Sequence, residues 1–121
     1  MKSPQKKIGE QLWKECRRII FGRYGNTCYT CGASNLEGAN LQLGHCIPRS
    51  VGGAFLRYDL RNLRPQCFRC NIHCGGNGAI FVRNLTKEIG KRAVDKMFND
   101  KQKIVKAIDH YTKLLEEYKQ L

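Results

Sequence analysis

The sequence predicts a single α+β domain, with a cysteine-rich centre between helical flanks. Three observations point to it. Apolar residues recur at helical spacing in residues 5–22 and again in 78–121. The stretch between them is rich in Cys, Gly, Asn and Arg and has no long helical period. That same stretch carries two Cys-x2-Cys pairs. A chain of 121 residues suits one domain with one modest core, which a bound metal would help to hold. Its parts are residues 1–24, 25–77 and 78–121.

In the first part, Ile8, Leu12, Trp13, Cys16, Ile19 and Ile20 form one apolar face. Gly22 and Gly25 end the helix. In the centre, Leu41–Ile47 and Leu56–Leu60 are short enough to be the two strands of a hairpin. Gly52 and Gly53 fall in their connection. Residues 67–74 suit the start of a short helix. In the third part a helix is expected from Gly78 to Ile89, stopped by Gly90. A shorter helix follows near Arg92–Phe98. A last one begins near Asn99 or Asp100, either of which can cap it. Its stripe is Ile104, Ile108, Tyr111, Leu115 and Tyr118, expected to pack on its own domain, with pairing to a second chain as the alternative.

Lys and Arg number 22 against 10 Asp and Glu, a net charge of +12. Such a field favours a polyanion, nucleic acid first. The charge is unevenly placed. Residues 25–85 hold Arg49, Arg57, Arg61, Arg64, Arg69 and Arg83 and no Lys. Arg grips phosphate with a rigid fork and Lys acts as a mobile point charge, so the centre is the expected place of defined phosphate contact. No run of about 18 apolar residues offers a membrane span. The N-terminus has no apolar signal region, and seven cysteines then point to metal ligation and free thiols in a reducing cytoplasm.

Cys28 with Cys31, and Cys67 with Cys70, give four thiolates, the donor set of tetrahedral structural zinc. The 35 residues from Gly32 to Gln66 between the pairs are more than a simple zinc ribbon needs. Cys16 lies on the apolar face of the first helix. Cys46 and Cys74 could replace a ligand but belong to no pair.

His45, Asn62 and Asn71 follow in that order among the knuckles. With Leu43-Gly44-His45, Arg57-Tyr58, Gln66-Cys67, Cys70-Asn71, Gly75-Gly76-Asn77 and Ile89-Gly90-x-x-Ala93-Val94, they resemble the HNH family in its His-Asn-Asn form. The string is closer still to the phage NinG (Rap) recombination nucleases. Its layout is also similar to that of endonuclease VII, a junction resolvase. The resemblance spans roughly residues 25–120. It implies a zinc-stabilised ββα-metal, treble-clef-like core flanked by N-terminal and C-terminal helices. It also implies metal-dependent hydrolysis of branched DNA such as D-loops and Holliday junctions.

In that reading His45 is the general base, near neutral pH an imidazole able to take a proton from water. Asn62 holds the hairpin and orients the imidazole. Asn71 supplies an oxygen to catalytic Mg²⁺ or Mn²⁺. Many HNH enzymes have Asp or His before the catalytic His, where this chain has Gly44. Asp59, alone of its kind in residues 25–85, is the candidate substitute ligand. Arg49, Arg57, Arg61, Arg64 and Arg69 would position phosphates without reading bases. His73 would face DNA or support the site, and His110 would lie on the surface. Paired cuts at a junction would suit a homodimer. Two other readings use the same residues: a non-catalytic zinc module that binds nucleic acid, and a site-specific homing or restriction-type nuclease.

Overall fold

The computed structural model describes residues 1–121. The order is α1 (Pro4–Tyr24), β1 (Gln42–His45), α2 (Arg49–Arg57), β2 (Leu63–Gln66), α3 (Gly78–Ile89), α4 (Lys91–Asp100) and α5 (Ala107–Tyr118). The fold is thus mixed, with five helices around one small antiparallel sheet. No helix is long and apolar enough to cross a membrane.

The Ser3 hydroxyl accepts the Lys6 amide and Pro4 takes the first helical position, so α1 starts where local chemistry favours it. Gly25, at φ 73°, ends it. The buried face of α1 (Leu12, Cys16, Ile19, Ile20) meets Leu43, Tyr58 and Leu63 from the centre and Tyr111, Leu115 and Tyr118 from α5. Each fully buried Leu or Ile there contributes about 1.5–3 kcal/mol. Arg18 donates to the Tyr118 and Leu121 carbonyls, both at 3.1 Å, closing the C-terminal end of α5 onto α1. The last helix therefore packs on its own domain. It begins at Ala107, later than expected, because Asp100 does not cap it. The Asp100 carboxylate instead meets Arg61 at 3.1 Å, Lys103 at 3.3 Å and Lys96 at 3.5 Å. Ile104, expected on the apolar stripe, precedes the helix and is 97% exposed.

The hairpin differs from its expected form. β1 lies within Leu41–Ile47 as read, but its partner is Leu63–Gln66 and not Leu56–Leu60. Gln42 pairs with Gln66, and His45 with Leu63. Leu56 belongs to α2, where it packs in a second core with Ile47, Phe81, Leu85, Val94 and Met97. Gly53 kinks that helix at φ 63°, so the two glycines sit inside a helix and not in a hairpin turn. Asn62 locks the long connection. Its wholly buried amide accepts the Ile47 N–H at 2.7 Å and donates to the Ile47 and Leu56 carbonyls at 3.0 and 3.3 Å. After β2, Cys67 and then a π-helical turn, Arg69–His73, which holds Cys70, make the second knuckle. α3 runs to Ile89 with Gly90 as its stop, as read from the sequence.

Candidate metal centre and adjoining cleft

The loop after α1 brings Cys28 and Cys31 against Cys67 and Cys70, which leave the end of β2. All four sulfurs lie within 4.8 Å of one another. The Cys31 and Cys67 sulfurs are 3.8 Å apart, the edge of a tetrahedron with metal–sulfur bonds of about 2.3 Å. The four clustered cysteines form a set that can bind zinc. Gly32, at φ 81°, lets the first knuckle turn, and its amide donates to the Cys28 carbonyl at 3.0 Å. Cys46 lies in the second core and Cys74 is exposed, so neither joins the cluster. Cys16 is buried on α1 as expected.

One hydrogen-bond chain links the thiolates to the sheet. Gln66 Nε2 donates to the Thr30 hydroxyl at 3.1 Å, and that hydroxyl can donate in turn to Cys28 Sγ at 3.4 Å. Burial pushes the Cys28 thiol up, but the Thr30 hydroxyl and backbone amides outweigh it and bring it down to about 6, which favours thiolate. Gln66 Nε2 also donates to the Gly76 carbonyl at 2.8 Å. Its Oε1 is buried without a partner and lies over Gly44. A Cβ on Gly44 would come within 1.8 Å of that oxygen, so no side chain fits at position 44 beside Gln66.

Beside the knuckles is a cleft of about 370 Å³ that His45 and Asn71 share with Trp13, Arg49 and Gly76. His45 Nε2 lies 2.8 Å from the Arg57 carbonyl. A carbonyl only accepts, so this nitrogen carries the proton and the neutral ring leaves Nδ1 unprotonated. Trp13 stacks on the ring, with centroids 5.6 Å apart and planes 9° from parallel. Burial, reinforced by the charges of Arg49 and Arg57, lowers the His45 pKa to about 4 against the opposing pull of the Arg57 carbonyl. The imidazole is therefore neutral at pH 7. Asn71 donates to Gln42 Oε1 at 2.8 Å, so its amide nitrogen is engaged at the edge of the cleft that it lines.

Several expected roles change. Asn62 does not orient the imidazole. The Arg57 carbonyl does, and Asn62 holds the connection that carries it. Asp59 does not line the cleft. Its carboxylate takes the Arg61 backbone N–H at 2.9 Å and the Arg61 guanidinium at 2.6 and 3.0 Å. It is therefore not placed as a metal ligand. Arg61 is held by Asp59 and Asp100. Arg64 is buried, ion-paired to Glu88 at 3.2 Å and lying 4.4 Å over the Tyr24 ring. Neither is free for phosphate. Arg49 lines the cleft, Arg57 lines the hollow beside it, and Arg69 is exposed. His73 is exposed, edge-on to Phe68 at 5.2 Å. His110 is half-buried and stacked on Phe55 at 5.2 Å, not a surface residue.

Residue type alone does not single out Trp13, which sits in an apolar stripe, nor the role of Gln66 beneath Gly44. A backbone carbonyl leaves no signal in residue type.

Fold and site together define a small, strongly basic α+β domain built on a four-cysteine centre with a histidine cleft beside it. A family model described as Bacteriophage Lambda NinG protein matches residues 3–121, and the chain belongs to the NinG family. It is similar to Protein ninG of Salmonella phage P22, 31% identical over 93 residues, which are 77% of this chain and 44% of that protein. Protein ninG of Escherichia phage lambda is 30% identical over the same length and shares. Protein ninG of Escherichia phage 933W is 36% identical over 70 residues, 58% of this chain and 33% of that protein. The chain thus spans between a third and a half of these relatives. No solved structure matches it.

Proposed function

We propose that this domain is a metal-dependent, structure-selective endonuclease of HNH type that cuts branched recombination intermediates, D-loops and Holliday junctions among them. The observation that carries the reading is the state of His45. Its proton is fixed on Nε2 by the Arg57 carbonyl, and its free Nδ1 belongs to a ring lining a cleft with Arg49 and Asn71. The Cys28–Cys31–Cys67–Cys70 set would hold structural zinc, which would fix the start of β2's exit turn, where Asn71 lies. In this reading the core is of the ββα-metal, treble-clef-like kind.

His45 Nδ1 takes a proton from water as the water oxygen forms a bond to phosphorus. One P–O ester bond breaks, and the leaving oxygen takes up a proton from solvent. Arg49 holds the non-bridging oxygens by its fork. A divalent ion in the cleft would find one side-chain amide oxygen, that of Asn71, and no carboxylate among the lining residues. Mg²⁺ is ordinarily held by one or two carboxylates with substrate phosphates and waters, so here DNA phosphate oxygens and waters would have to supply nearly all of its ligands. When bound, the ion would neutralise charge at the leaving oxygen. Localisation in the host cytoplasm and action as a homodimer, one cut per subunit, belong to the same proposal.

The lack of a carboxylate in the cleft favours a second reading, a zinc module that binds nucleic acid without cutting it. A labelled four-way junction beside a matched linear duplex, incubated with Mg²⁺, with Mn²⁺ or with neither, separates the two. Metal-dependent junction cutting that His45→Ala abolishes is the expected result. Binding without cutting under any metal would establish the module instead. Equal cutting of the linear duplex would remove the structure selectivity.

A further inference from the structure

A second, larger hollow of about 570 Å³ adjoins the His45 cleft and shares Trp13 and Arg49 with it. Its size falls within the roughly 300–1,000 Å³ of small-molecule sites. Lys6 and Arg57 also line it, against a single carboxylate, Glu10. Tyr58 and Tyr111 close its floor with rings edge-to-face at 4.9 Å. Both tyrosines are nearly buried, at 5% and 3% exposure, so they make a fixed floor with little open face, and the half-buried Trp13 is the ring a base can reach. The Arg57 guanidinium lies 5.5 Å over the Tyr58 ring. Cations and aromatic faces in one recess, beside a cleft suited to a phosphate, are the chemistry that holds a nucleotide.

We infer that this hollow receives one unpaired DNA nucleobase next to the phosphate held at His45. The inference rests on the nuclease reading and deepens it, by saying what feature of branched DNA is recognised. Trp13 is the shared wall: one face of the indole stacks on His45, and its position between the two recesses couples base capture to the reacting centre. Lys6 and Arg49 hold the sugar–phosphate on either side of the base. A base within a duplex must be unstacked and unpaired before it can enter, and a base at a branch has already lost its partner. Selection of branched DNA follows without any base-edge reading.

The test is a binding experiment with the full chain and no added divalent ion. One probe is a duplex with a short single-stranded flap carrying 2-aminopurine at the first unpaired position. The other is the matched duplex with 2-aminopurine in a paired position. Trp13 is the sole tryptophan, so its emission reports the same site from the protein side. The flap is expected to bind at least about ten-fold more tightly, with both fluorophores quenched, since stacking on an aromatic surface is worth about that factor per base. Lys6→Glu, on the exposed first turn of α1, should shrink the flap preference several-fold. Lys7→Glu, which does not line the hollow, should weaken both probes alike. Trp13→Phe, which keeps an aromatic wall, should retain the 2-aminopurine response. Equal affinity for the two probes with no change in 2-aminopurine emission would overturn the inference, as would equal flap preference in Lys6→Glu and Lys7→Glu. Junction cutting without flap quenching would remove only the base site. Flap quenching without cutting would remove only the nuclease reading.

Discussion

Replacing Gly44 by alanine adds one methyl group, in the strand that presents His45. Its Cβ would fall 1.8 Å from Gln66 Oε1, 2.6 Å from Cδ and 2.9 Å from Cγ. Backbone pairing of Gly44 with Arg64 fixes the strand, so Gln66 is the group that must move. Moving it breaks the bonds from Nε2 to Thr30 and to the Gly76 carbonyl. Two such bonds are worth about 0.5–1.5 kcal/mol each, and overpacking a core adds about 1–3 kcal/mol. The orphan Oε1 has no bond to lose. Gly44→Ala should therefore destabilise the domain by roughly 2–6 kcal/mol, lowering Tm by roughly 10 °C or more. Urea unfolding at constant slope would measure it. In the double variant with Gln66→Ala the clash is gone, and the two costs should fall short of their sum by about 1 kcal/mol or more. Gly44→Ala with the parent's midpoint, or strictly additive costs, would refute the argument. The same cycle with Gly44→Asp in a Gln66→Ala background should let a carboxylate into the position where many HNH enzymes carry a metal ligand.

Asn62→Ala should cost about 2–4 kcal/mol in urea unfolding, because it leaves the Ile47 amide and two carbonyls buried without their partner. One zinc per chain is expected by metal analysis after thiol oxidation, and Cys67→Ser should lower it sharply; an unchanged fold by circular dichroism after metal removal would contradict a structural role. The His45 ring resonances should stay fixed by NMR between about pH 5.5 and 8, since the folded pKa is lowered to about 4 from 6.5. Because the unfolded chain takes that proton first, the stability tied to neutral His45 is present above about pH 6.5 and is lost as pH falls toward 4. Mn²⁺ followed by paramagnetic resonance should bind weakly to the protein alone and strongly with junction DNA, given a cleft with one amide oxygen and no carboxylate.

Where neighbours in sequence supply the reason for a structure, the sequence could be read. α1 and α3 follow from their apolar period and from Gly25 and Gly90 at the stops. The thiol cluster follows from two knuckles. β2 was misplaced because its residues do not look like a strand. Leu63-Arg64-Pro65-Gln66 is buried throughout, although it holds a charge, an amide and a proline. Arg64 is tolerated there because Glu88 comes from α3, and Gln66 because Thr30 and Gly76 come from two different loops. Those partners are far away along the chain. Leu56–Leu60, more apolar, gave the stronger strand signal and became helix and turn. His45 and Asn71 were legible as a pair from their order. Residue type alone does not sort the arginines, since only the positions of Asp59, Asp100 and Glu88 decide that Arg61 and Arg64 are held in ion pairs.

The clasp between Arg18 and the Tyr118 carbonyl joins residues 100 positions apart. α1 bears Trp13 and so forms one wall of the cleft, yet it is seated largely by α5. During synthesis at about 5–20 residues per second, some 5–20 s separate the emergence of α1 from that of its partner. The knuckles and hairpin can assemble in that interval while the first helix waits undocked. The histidine cleft is then among the last features of this domain to take shape, and a nascent chain holds His45 in its hairpin before Trp13 is docked against it.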